Sequence, residues 1–401
     1  MRMVYSKLAN LKNTCCIMIA ALTMIVLAGC TKSNYVDSVP ANSKAVLSVN
    51  AMELIDDNSP VKTIVLPFVN KDRKSLKGID LTKDIYAFET VDGMLGLSIY
   101  VNDRNELLDF FQRLQTVGVM DEVAENDEEI TAIASEHWLV NYVNNRLLVM
   151  GPVVNSATER DLMQERMRNM MAQTVEDGIR SSDMWTYLNN VDAPVKLIAQ
   201  ASALPDELVS AFTIGAPRGT DPSDVLLRAE VEYEDSVLMI EGDMFSYNPN
   251  IDQALKETAE VYQPITVKWE KMMADTLLAG IFMNVDGEKF VELLNRNKTL
   301  GSMLISTNRY DRIKGNKGDM AFLFSGKIAE NNGEHDIHTS ILNLPKGSEK
   351  DGERLVIAVN VENAAGAVAG TFLSWVNRVK KIVFTLKKPE LKKEDGKDQQ
   401  D

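Results

Sequence analysis

An apolar run near the start of the chain decides which residues are available to fold. Residues 15–28 are apolar except for Thr23. Three basic residues precede this run: Arg2, Lys7 and Lys12. A basic start followed by an apolar run of this length is typical of a secretory signal, whereas a membrane span needs about 20 residues. We therefore predict that residues 1–29 are a signal peptide that is cleaved and takes no part in the fold.

The predicted signal ends in Leu27-Ala28-Gly29-Cys30. A leucine, two small residues and a cysteine at the end of an apolar segment resemble the bacterial lipobox. The resemblance implies cleavage between Gly29 and Cys30, a diacylglycerol thioether on Cys30, and an acyl group such as palmitate on the new amino end. Two or more acyl chains give stable membrane attachment, at about 0.8 kcal/mol per buried CH₂. The alternative is a plain signal peptide with an incidental cysteine at its end.

The residues after Cys30 bear on the membrane that receives the protein. In the sorting rule of enteric bacteria an Asp at the next position retains a lipoprotein in the inner membrane, so Thr31 is compatible with the outer membrane. No acidic residue occurs in Thr31-Lys32-Ser33-Asn34, so display on the cell surface is not supported. We therefore expect a lipid-anchored outer-membrane protein that faces the periplasm.

Charge and cysteine content exclude several classes of function. Cleavage before Cys30 removes 29 of the 401 residues and leaves 372. It also changes the net charge from −15 to −18, because the signal contains three basic and no acidic residues. Nucleic-acid binding needs a basic footprint, so we expect no nucleic-acid partner. Cys15 and Cys16 leave with the signal, so the mature chain has no free thiol for a disulfide, a thiolate metal site or a cysteine nucleophile.

Length and hydrophobic pattern predict an α+β fold of two related halves, each a mainly antiparallel sheet with covering helices. A chain of this length holds about two domains of 100–200 residues. The predicted units after the signal are a lipidated tether at 30–43, an N-terminal α+β domain at 44–152, a helical connector at 153–190, a C-terminal α+β domain at 191–386 and a disordered charged tail at 387–401.

Turn and capping residues support this reading of the chain. Asp92-Gly93 and Asn144-Asn145 are typical of hairpin turns. Asn50, Asp103 and Asp286 each follow an apolar strand pattern and precede a helix pattern, where a side-chain cap is favoured. The recurring corner is compatible with an internal duplication, and equally with the general need of a strand-to-helix corner for a cap.

Two predicted helices carry apolar stripes. One stripe consists of four methionines on a helix predicted at 155–173: Met163, Met167, Met170 and Met171. Such a stripe is either ordinary helix core or an adaptable groove for a partner. Residues 363–386 carry apolar residues at helical spacing and are predicted to form one long amphipathic helix.

No familiar catalytic motif occurs in the chain, which lacks G-x-S-x-G, H-E-x-x-H, Walker A and G-x-G-x-x-G patterns. His335 and His338 lie at the start of a predicted strand, where residues three apart point to opposite faces, so we expect no metal site there. His137 is expected to pack or to be exposed. The acidic run at 121–129 lacks the ligand alternation and central glycine of a calcium loop and predicts a solvated loop. We therefore predict no catalytic residue, no metal ligand and no cofactor.

The mature chain also resembles a known family. The resemblance is carried by the lipobox and by short structural motifs: Val39-Pro40-Ala41-Asn42, Gly78-Ile79-Asp80, Tyr86-Ala87-Phe88, Asp92-Gly93, and the strand pair from Trp138 to Leu148 that ends in Gly151. Together they are similar to uncharacterised lipoproteins of Bacteroides-type bacteria, classed as domain-of-unknown-function family 4836. The resemblance covers most of the mature chain and implies a lipid-anchored envelope protein. It supplies no catalytic residue.

These observations favour a lipid-anchored cell-envelope protein that acts as a non-enzymatic binding or scaffold module. Its expected partners are the membrane, through lipid on Cys30, and another envelope protein. Two alternatives stay open. An envelope hydrolase would hold two carboxylates within about 10 Å in a cleft. A carrier of a small ligand would need a large apolar pocket between sheet and helices.

Overall fold

The computed structural model describes residues 34–56, 75–204, 209, 212–234, 237–274, 276–296, 310–328, 335–349, 353–360 and 381–386. Several predicted features lie outside these ranges: the signal peptide, the expected cleavage and lipidation residues Gly29 and Cys30, and the charged tail. The same holds for residues 363–380 of the predicted long helix.

The described residues contain α-helices, 3₁₀ helices and strands. The α-helices are α1 (Ala51–Asp56), α2 (Arg104–Thr116), α3 (Ala157–Ala172), α4 (Asp183–Asn190), α5 (Pro249–Ala259), α6 (Gly287–Arg296) and α7 (Tyr310–Lys314). The 3₁₀ helices used below are Tyr35–Ser38, Ile179–Ser181 and Trp269–Met272. The first nine strands are β1 (Ala45–Val49), β2 (Ser75–Leu76), β3 (Ile79–Asp80), β4 (Ile85–Glu89), β5 (Leu95–Tyr100), β6 (Met120–Glu125), β7 (Glu129–Ala134), β8 (Trp138–Val143) and β9 (Arg146–Gly151). The others are β10 (Val195–Gln200), β11 (Leu226–Glu234), β12 (Val237–Phe245), β13 (Tyr262–Gln263), β14 (Leu277–Asp286), β15 (Lys317–Ile328), β16 (His335–Asn343), β17 (Leu355–Asn360) and β18 (Lys381–Leu386).

One sheet of 16 strands runs through the fold in the order β16-β15-β14-β17-β18-β12-β11-β10-β1-β4-β5-β9-β8-β7-β6, with β13 beside β14. Neighbouring strands are antiparallel, except that β12 and β18 are parallel. The short strands β2 and β3 pair separately. The predicted α+β class with mainly antiparallel sheet is confirmed. Among the described helices, none combines the length and apolarity that crossing a bilayer would require.

Strands from both predicted domains share this sheet. Strand β1 pairs with β10, so that Val46 lies opposite Ile198, and β10 pairs in turn with β11. Both side chains of this pair are fully buried. The halves are therefore joined edge to edge by backbone hydrogen bonds and a common core. The relationship of the two halves by duplication stays a prediction.

The hairpin turns form as predicted because their residues accept left-handed backbone angles. Asn144 and Asn145 have φ values of 48° and 65°, the positive values that a two-residue turn between twisted strands requires. The turn between β4 and β5 contains Gly93 at φ 82°. Gly96 follows on β5, where the ring of Phe88 occupies the space that a β-carbon would need. This close approach of a ring explains glycine inside the strand.

The three predicted strand-to-helix corners are capped by the predicted side chains. Asn50 Oδ1 accepts a hydrogen bond from the backbone of Glu53 at 3.2 Å. Asp103 Oδ1 accepts a hydrogen bond from the backbone amide of Glu106 at 3.0 Å. Asp286 Oδ1 accepts one from the backbone amide of Glu288, also at 3.0 Å. Each cap satisfies an amide that the first helical turn leaves without an intrahelical partner.

Strand alternation separates the core into two faces of the sheet. The front face, as we name it, carries Val46 and Leu148 and is covered by α3, α4 and the 3₁₀ helix Tyr35–Ser38. The back face carries Leu147 and Val140 and is covered in the N-terminal half by α2. Following the strand register, α5, α6 and α7 lie on the back face of the C-terminal half, whereas the 3₁₀ helix Trp269–Met272 lies on its front face.

Three sequence expectations are wrong in detail. Within the predicted tether, residues 35–39 are buried on the front face and belong to the folded body. The acidic run at 121–129 is mostly strand, because β6 is an edge strand that exposes carboxylates without cost, and only 126–128 form its turn. Residues 381–386 form strand β18 between β17 and β12, so the predicted helix does not continue to Leu386. Helical and strand patterns are hard to tell apart in a short apolar run.

Candidate functional site

An open groove lies on the front face beside α3. Its cavity volume is about 430 Å³, which falls in the range of ligand sites. Three chain segments line it: Pro40 and Asn42; Thr90 and Val91; and Leu162, Glu165, Arg166, Asn169, Met170 and Gln173. We call it the α3 groove. The lining mixes apolar side chains with three carboxamides, a composition that can contact both apolar groups and hydrogen-bonding groups of a partner.

Two apolar side chains of the α3 groove are exposed. Val91 is 52% exposed at the β4–β5 turn, and Leu162 is 57% exposed on α3. Met170, on the side of α3 that packs against the core, is only 4% exposed. The predicted methionine stripe is therefore mainly helix core, and only Met170 reaches the groove wall. The exposed apolar surface of the groove comes from residues outside that stripe.

A bidentate ion pair closes one side of the α3 groove. Arg166 Nη1 and Nη2 donate to the two oxygens of Asp92 at 2.7 and 2.8 Å. Thr90 Oγ1 donates to the same carboxylate at 2.6 Å. The hydrogen bonds from Arg166, followed by that from Thr90, lower the pKa of Asp92 far below its usual value. The carboxylate is thus held ionised and oriented, and it ties the β4–β5 turn to α3.

Gln173 gives the groove an unused acceptor. It lies just beyond α3 as the C-cap residue, and its backbone amide donates to Met170 O. Its side-chain Oε1 is buried and has no hydrogen-bond partner within the described ranges. Burying an amide oxygen without a donor costs free energy, so a donor from a bound molecule or from water would stabilise this position.

The segment before β1 positions the groove's inner wall. Asp37 is fully buried, and both its oxygens accept hydrogen bonds from Arg180, with 2.7 Å between Nε and Oδ1. Gly178 packs so close that a β-carbon there would lie 2.6 Å from the Asp37 α-carbon. Ile179 N donates to Val39 O at 2.7 Å. These contacts hold residues 35–42 against the segment that follows α3.

A second, much smaller cavity of about 50 Å³ lies between α4 and strands β11 and β12. Glu230 and Glu241 face each other across the two strands and both line it. Arg228 pairs with Asp243, with 2.7 Å between Nη2 and Oδ2. The hydroxyl of Tyr187 is buried without a hydrogen-bond partner in the described part of the chain, and burial raises its pKa well above the usual value.

The back face carries a row of apolar side chains across five central strands. Ile85, Val49, Val195, Val231 and Ile240 are directly paired in register from β4 to β12. All five are partly exposed, and their neighbours on the front face range from buried Ser48 and Tyr86 to exposed Glu241. We call this set the back-face row. It lies between the cluster under α2 and the cluster under α5.

The histidines are not brought together into a site. His338 is exposed on β16, opposite Ser325, and His335 lies three residues earlier on the same strand, opposite Ile328. His137 is exposed, and its Nδ1 lies 3.2 Å from Val153 O. Within the described ranges, no group of three or more His, Cys, Asp or Glu side chains is arranged to hold a metal ion.

Sequence reasoning did not find the α3 groove. Its lining comes from three segments that are separated by about 50 and 70 positions, and each segment is ordinary in composition. Asp92 was identified only as part of a turn. The one signal in the sequence is the methionine stripe, of which only Met170 lines the groove.

Similarity to known proteins supports assignment to a family. Among curated proteins, none matches this chain significantly. Two solved structures of TP0453 are similar over part of their length, both at 11% sequence identity. Crystal form I covers 56% of this chain and 83% of its own with a TM-score of 0.35, and crystal form IV covers 50% and 77% with a TM-score of 0.31. Likeness at this level supports no inference about function.

The family comparison covers most of the folded body. The model of the domain of unknown function DUF4836 matches residues 35–331, beginning at the first residue of the buried 3₁₀ helix. The match includes all three segments that line the α3 groove. The chain therefore belongs to the DUF4836 family.

Proposed function

We propose that this protein is a lipid-anchored cell-envelope protein whose folded body is a non-enzymatic binding or scaffold module facing the periplasm, with the α3 groove as its binding surface. The observation that carries the proposal is the groove itself. It combines exposed Val91 and Leu162 with carboxamide groups, among them the unsatisfied Oε1 of Gln173. Apolar contact area with a few fixed polar groups is the usual make-up of a recognition site.

The lining of the groove contains one carboxylate, Glu165, and therefore no carboxylate pair of the kind that glycoside hydrolysis uses. Asp92 is fully engaged by Arg166 and Thr90, so its lone pairs serve the fold. Glu230 and Glu241 face each other on the front face, and their β-carbons are about 5 Å apart, as in other directly opposed cross-strand pairs. Their cavity of about 50 Å³ is far smaller than the roughly 300–1,000 Å³ of typical ligand pockets. A glycoside hydrolase needs a cleft that admits a sugar between its carboxylates.

A carrier of an apolar ligand is the second candidate function. The back-face row favours it, because five directly paired apolar side chains remain partly exposed there. A flat row of this kind offers apolar contact without the few convergent polar groups that orient a ligand. The α3 groove has both features, so we place binding there first.

The membrane anchor is proposed from the sequence motif at Cys30. Replacing Cys30 by Ala should move the protein from the membrane fraction to the soluble fraction, because the acyl chains supply the attachment. A mass shift that corresponds to diacylglycerol and a fatty acyl chain on the native amino-terminal peptide should be absent from the variant. Persistent sedimentation of the Cys30→Ala protein with membranes would refute the anchor. The outer membrane, periplasmic side, is the proposed location because Thr31 follows the cysteine.

The groove can be tested with a photocrosslinking amino acid in intact cells. Leu162 lies in the α3 groove and is 57% exposed; Val117, at the end of α2, is 70% exposed and lies on the other side of the sheet. The two positions therefore offer matched exposed aliphatic residues. We expect a discrete adduct from position 162, reduced when Asn169 is replaced by Lys in the same protein, and no such adduct from position 117.

The outcomes separate the candidate functions. A shared set of adducts from both positions would indicate non-specific contact and contradict the groove proposal. No adduct at 162, together with transfer of an apolar fluorescent probe to the purified protein that is abolished by Val195→Asp, would favour the carrier. Loss of folding in the Asp variant is checked by its circular dichroism spectrum, and Val117→Asp serves as the control substitution.

A further inference from the structure

The folded body begins almost immediately after the proposed lipidation site. Asn34 caps the 3₁₀ helix Tyr35–Ser38, and its side chain accepts from Val36 N. Tyr35, Val36 and Val39 are 7%, 5% and 0% exposed. Only four residue steps separate Cys30 from Asn34. The chain between the proposed lipid and the folded body is therefore too short to act as a long spacer.

The start of the body is fastened to the sheet and to the segment after α3. Ser98 Oγ donates to Tyr35 O at 2.6 Å, and the Tyr35 hydroxyl donates to Asp84 O at 3.0 Å. The buried carboxylate of Asp37 is paired with Arg180. Pulling residues 35–39 away would expose apolar surface and leave a buried charge without its partner, so these residues do not serve as extra tether.

The contour length of the chain then limits the distance to the bilayer. Whatever path residues 31–33 take, four residue steps span at most about 14 Å. A compact chain of this length has a radius of gyration of about 21 Å. The reach from the lipid is therefore shorter than the body is wide, and one side of the body must lie against the membrane.

We infer that the front face of the N-terminal half, around α3, is turned toward the phospholipid bilayer surface, so that the α3 groove meets a partner held at the periplasmic surface of that membrane. This inference rests on the proposed lipid anchor. The 3₁₀ helix Tyr35–Ser38 lies on the front face next to α3, whereas α2 lies on the back face of the same strands. A sheet and its helix layers are stacked about 10 Å apart. The surface of α2 is therefore the more distant one.

Charge agrees with this orientation although the mature chain is strongly acidic. Helix α3 carries three acidic and three basic side chains, so its net charge is zero: Glu159, Asp161 and Glu165; Arg160, Arg166 and Arg168. The exposed carboxylates at 121–129 lie at the β6 edge, two strands from β8, on which α3 packs, and Arg168 of α3 pairs with Glu129 at 3.0 Å. Because its own charges balance, α3 adds no net repulsion at an anionic bilayer.

Energy transfer from single fluorophores to acceptor-labelled lipid headgroups tests the orientation. Asn169 on α3 and Gln112 on α2 are both exposed polar helical residues on opposite faces of the sheet. Each is replaced by Cys in the lipidated mature protein, where Cys30 is blocked as a thioether and the new thiol is unique. The proteins are purified from membranes and reconstituted in phosphatidylcholine vesicles that carry the acceptor.

We expect larger transfer from position 169 than from position 112. Inserting 24 Gly and Ser residues between Ser33 and Asn34 gives a spacer with a root-mean-square span of about 27 Å, and this should remove the difference while the protein still floats with the vesicles. Protein that fails to float overturns the anchor and this inference together. Protein that floats but shows equal transfer from the two positions, or a difference that the spacer leaves unchanged, overturns this inference alone.

Discussion

The buried pair of Asp37 and Arg180 yields the sharpest prediction about stability. Asp37 is fully buried, and the side chain of Arg180 is 26% exposed. The substitution Asp37→Asn keeps the shape of the side chain and removes its charge, which leaves the guanidinium partly buried without a counter-ion. Breaking a buried pair in this way costs about 3–5 kcal/mol. Because Arg180 retains some contact with solvent, we expect a loss of about 2–4 kcal/mol in the free energy of unfolding.

A second bidentate Asp–Arg pair supplies the control. Asp92 and Arg166 are also joined by two hydrogen bonds, but their side chains are 51% and 34% exposed. Solvent screens this pair, so Asp92→Asn should cost about 0.2–1 kcal/mol. The two substitutions are chemically identical, and burial is the main difference between the two pairs. The contrast therefore isolates the effect of burial.

Urea unfolding of the unlipidated mature chain measures both effects. The change in free energy is obtained from the shift of the midpoint at constant slope, and a change in slope would signal loss of two-state behaviour. The double variant Asp37→Asn/Arg180→Gln should recover part of the loss, because it removes the uncompensated charge. Equal effects at positions 37 and 92, or a change below about 1 kcal/mol at Asp37, would refute the argument that residues 35–39 are an integral part of the core.

Two further predictions concern the same region. Gly178→Ala should destabilise the protein by about 1–3 kcal/mol, because its β-carbon would meet the Asp37 backbone, and a thermal melt that matches the wild type would contradict this. The pKa of Asp92 is lowered in the folded state, so its contribution to stability is present above the unfolded pKa of about 3.9 and is lost as the pH falls through the lower folded value. The difference in Tm between wild type and Asp92→Asn should accordingly shrink on acidification below about pH 4, and a difference that grows would show the sign to be wrong.

The local structure was largely predictable because its causes are local. Asp103 and Asp286 cap helices as their sequence context predicts, since a cap needs only the residue and the amides two or three positions later. The turn at Asn144-Asn145 follows for the same reason, because both residues tolerate positive φ. The α+β class followed from the alternation of these short patterns. Nothing in such patterns needs knowledge of distant residues.

The features that were missed depend on distant residues. Residues 35–39 resemble a tether because the segment is short and has no periodicity, and its partner Arg180 lies 143 positions after Asp37. Strand β18 takes its conformation from β17 and β12 on either side, so tertiary pairing overrides the helical spacing seen in the sequence. The acidic strand β6 is possible because it lies at the sheet edge, a position that is fixed by the whole strand order.

The assembly of the α3 groove explains why motif searches find nothing in this chain. A catalytic motif is visible in sequence when one short segment holds several reacting groups at fixed spacing. Here Asn42, Thr90 and Gln173 each lie in a different segment and meet through tertiary contacts, among them the pair of Asp37 and Arg180, which holds the first segment against the third. A recognition surface of the kind that we propose tolerates exchange of single side chains better than a reaction centre does, because most interface contacts carry little energy individually. The useful test is therefore whether binding follows the groove position Leu162 and ignores the equally exposed Val117, since that contrast separates a recognition site from general surface apolarity.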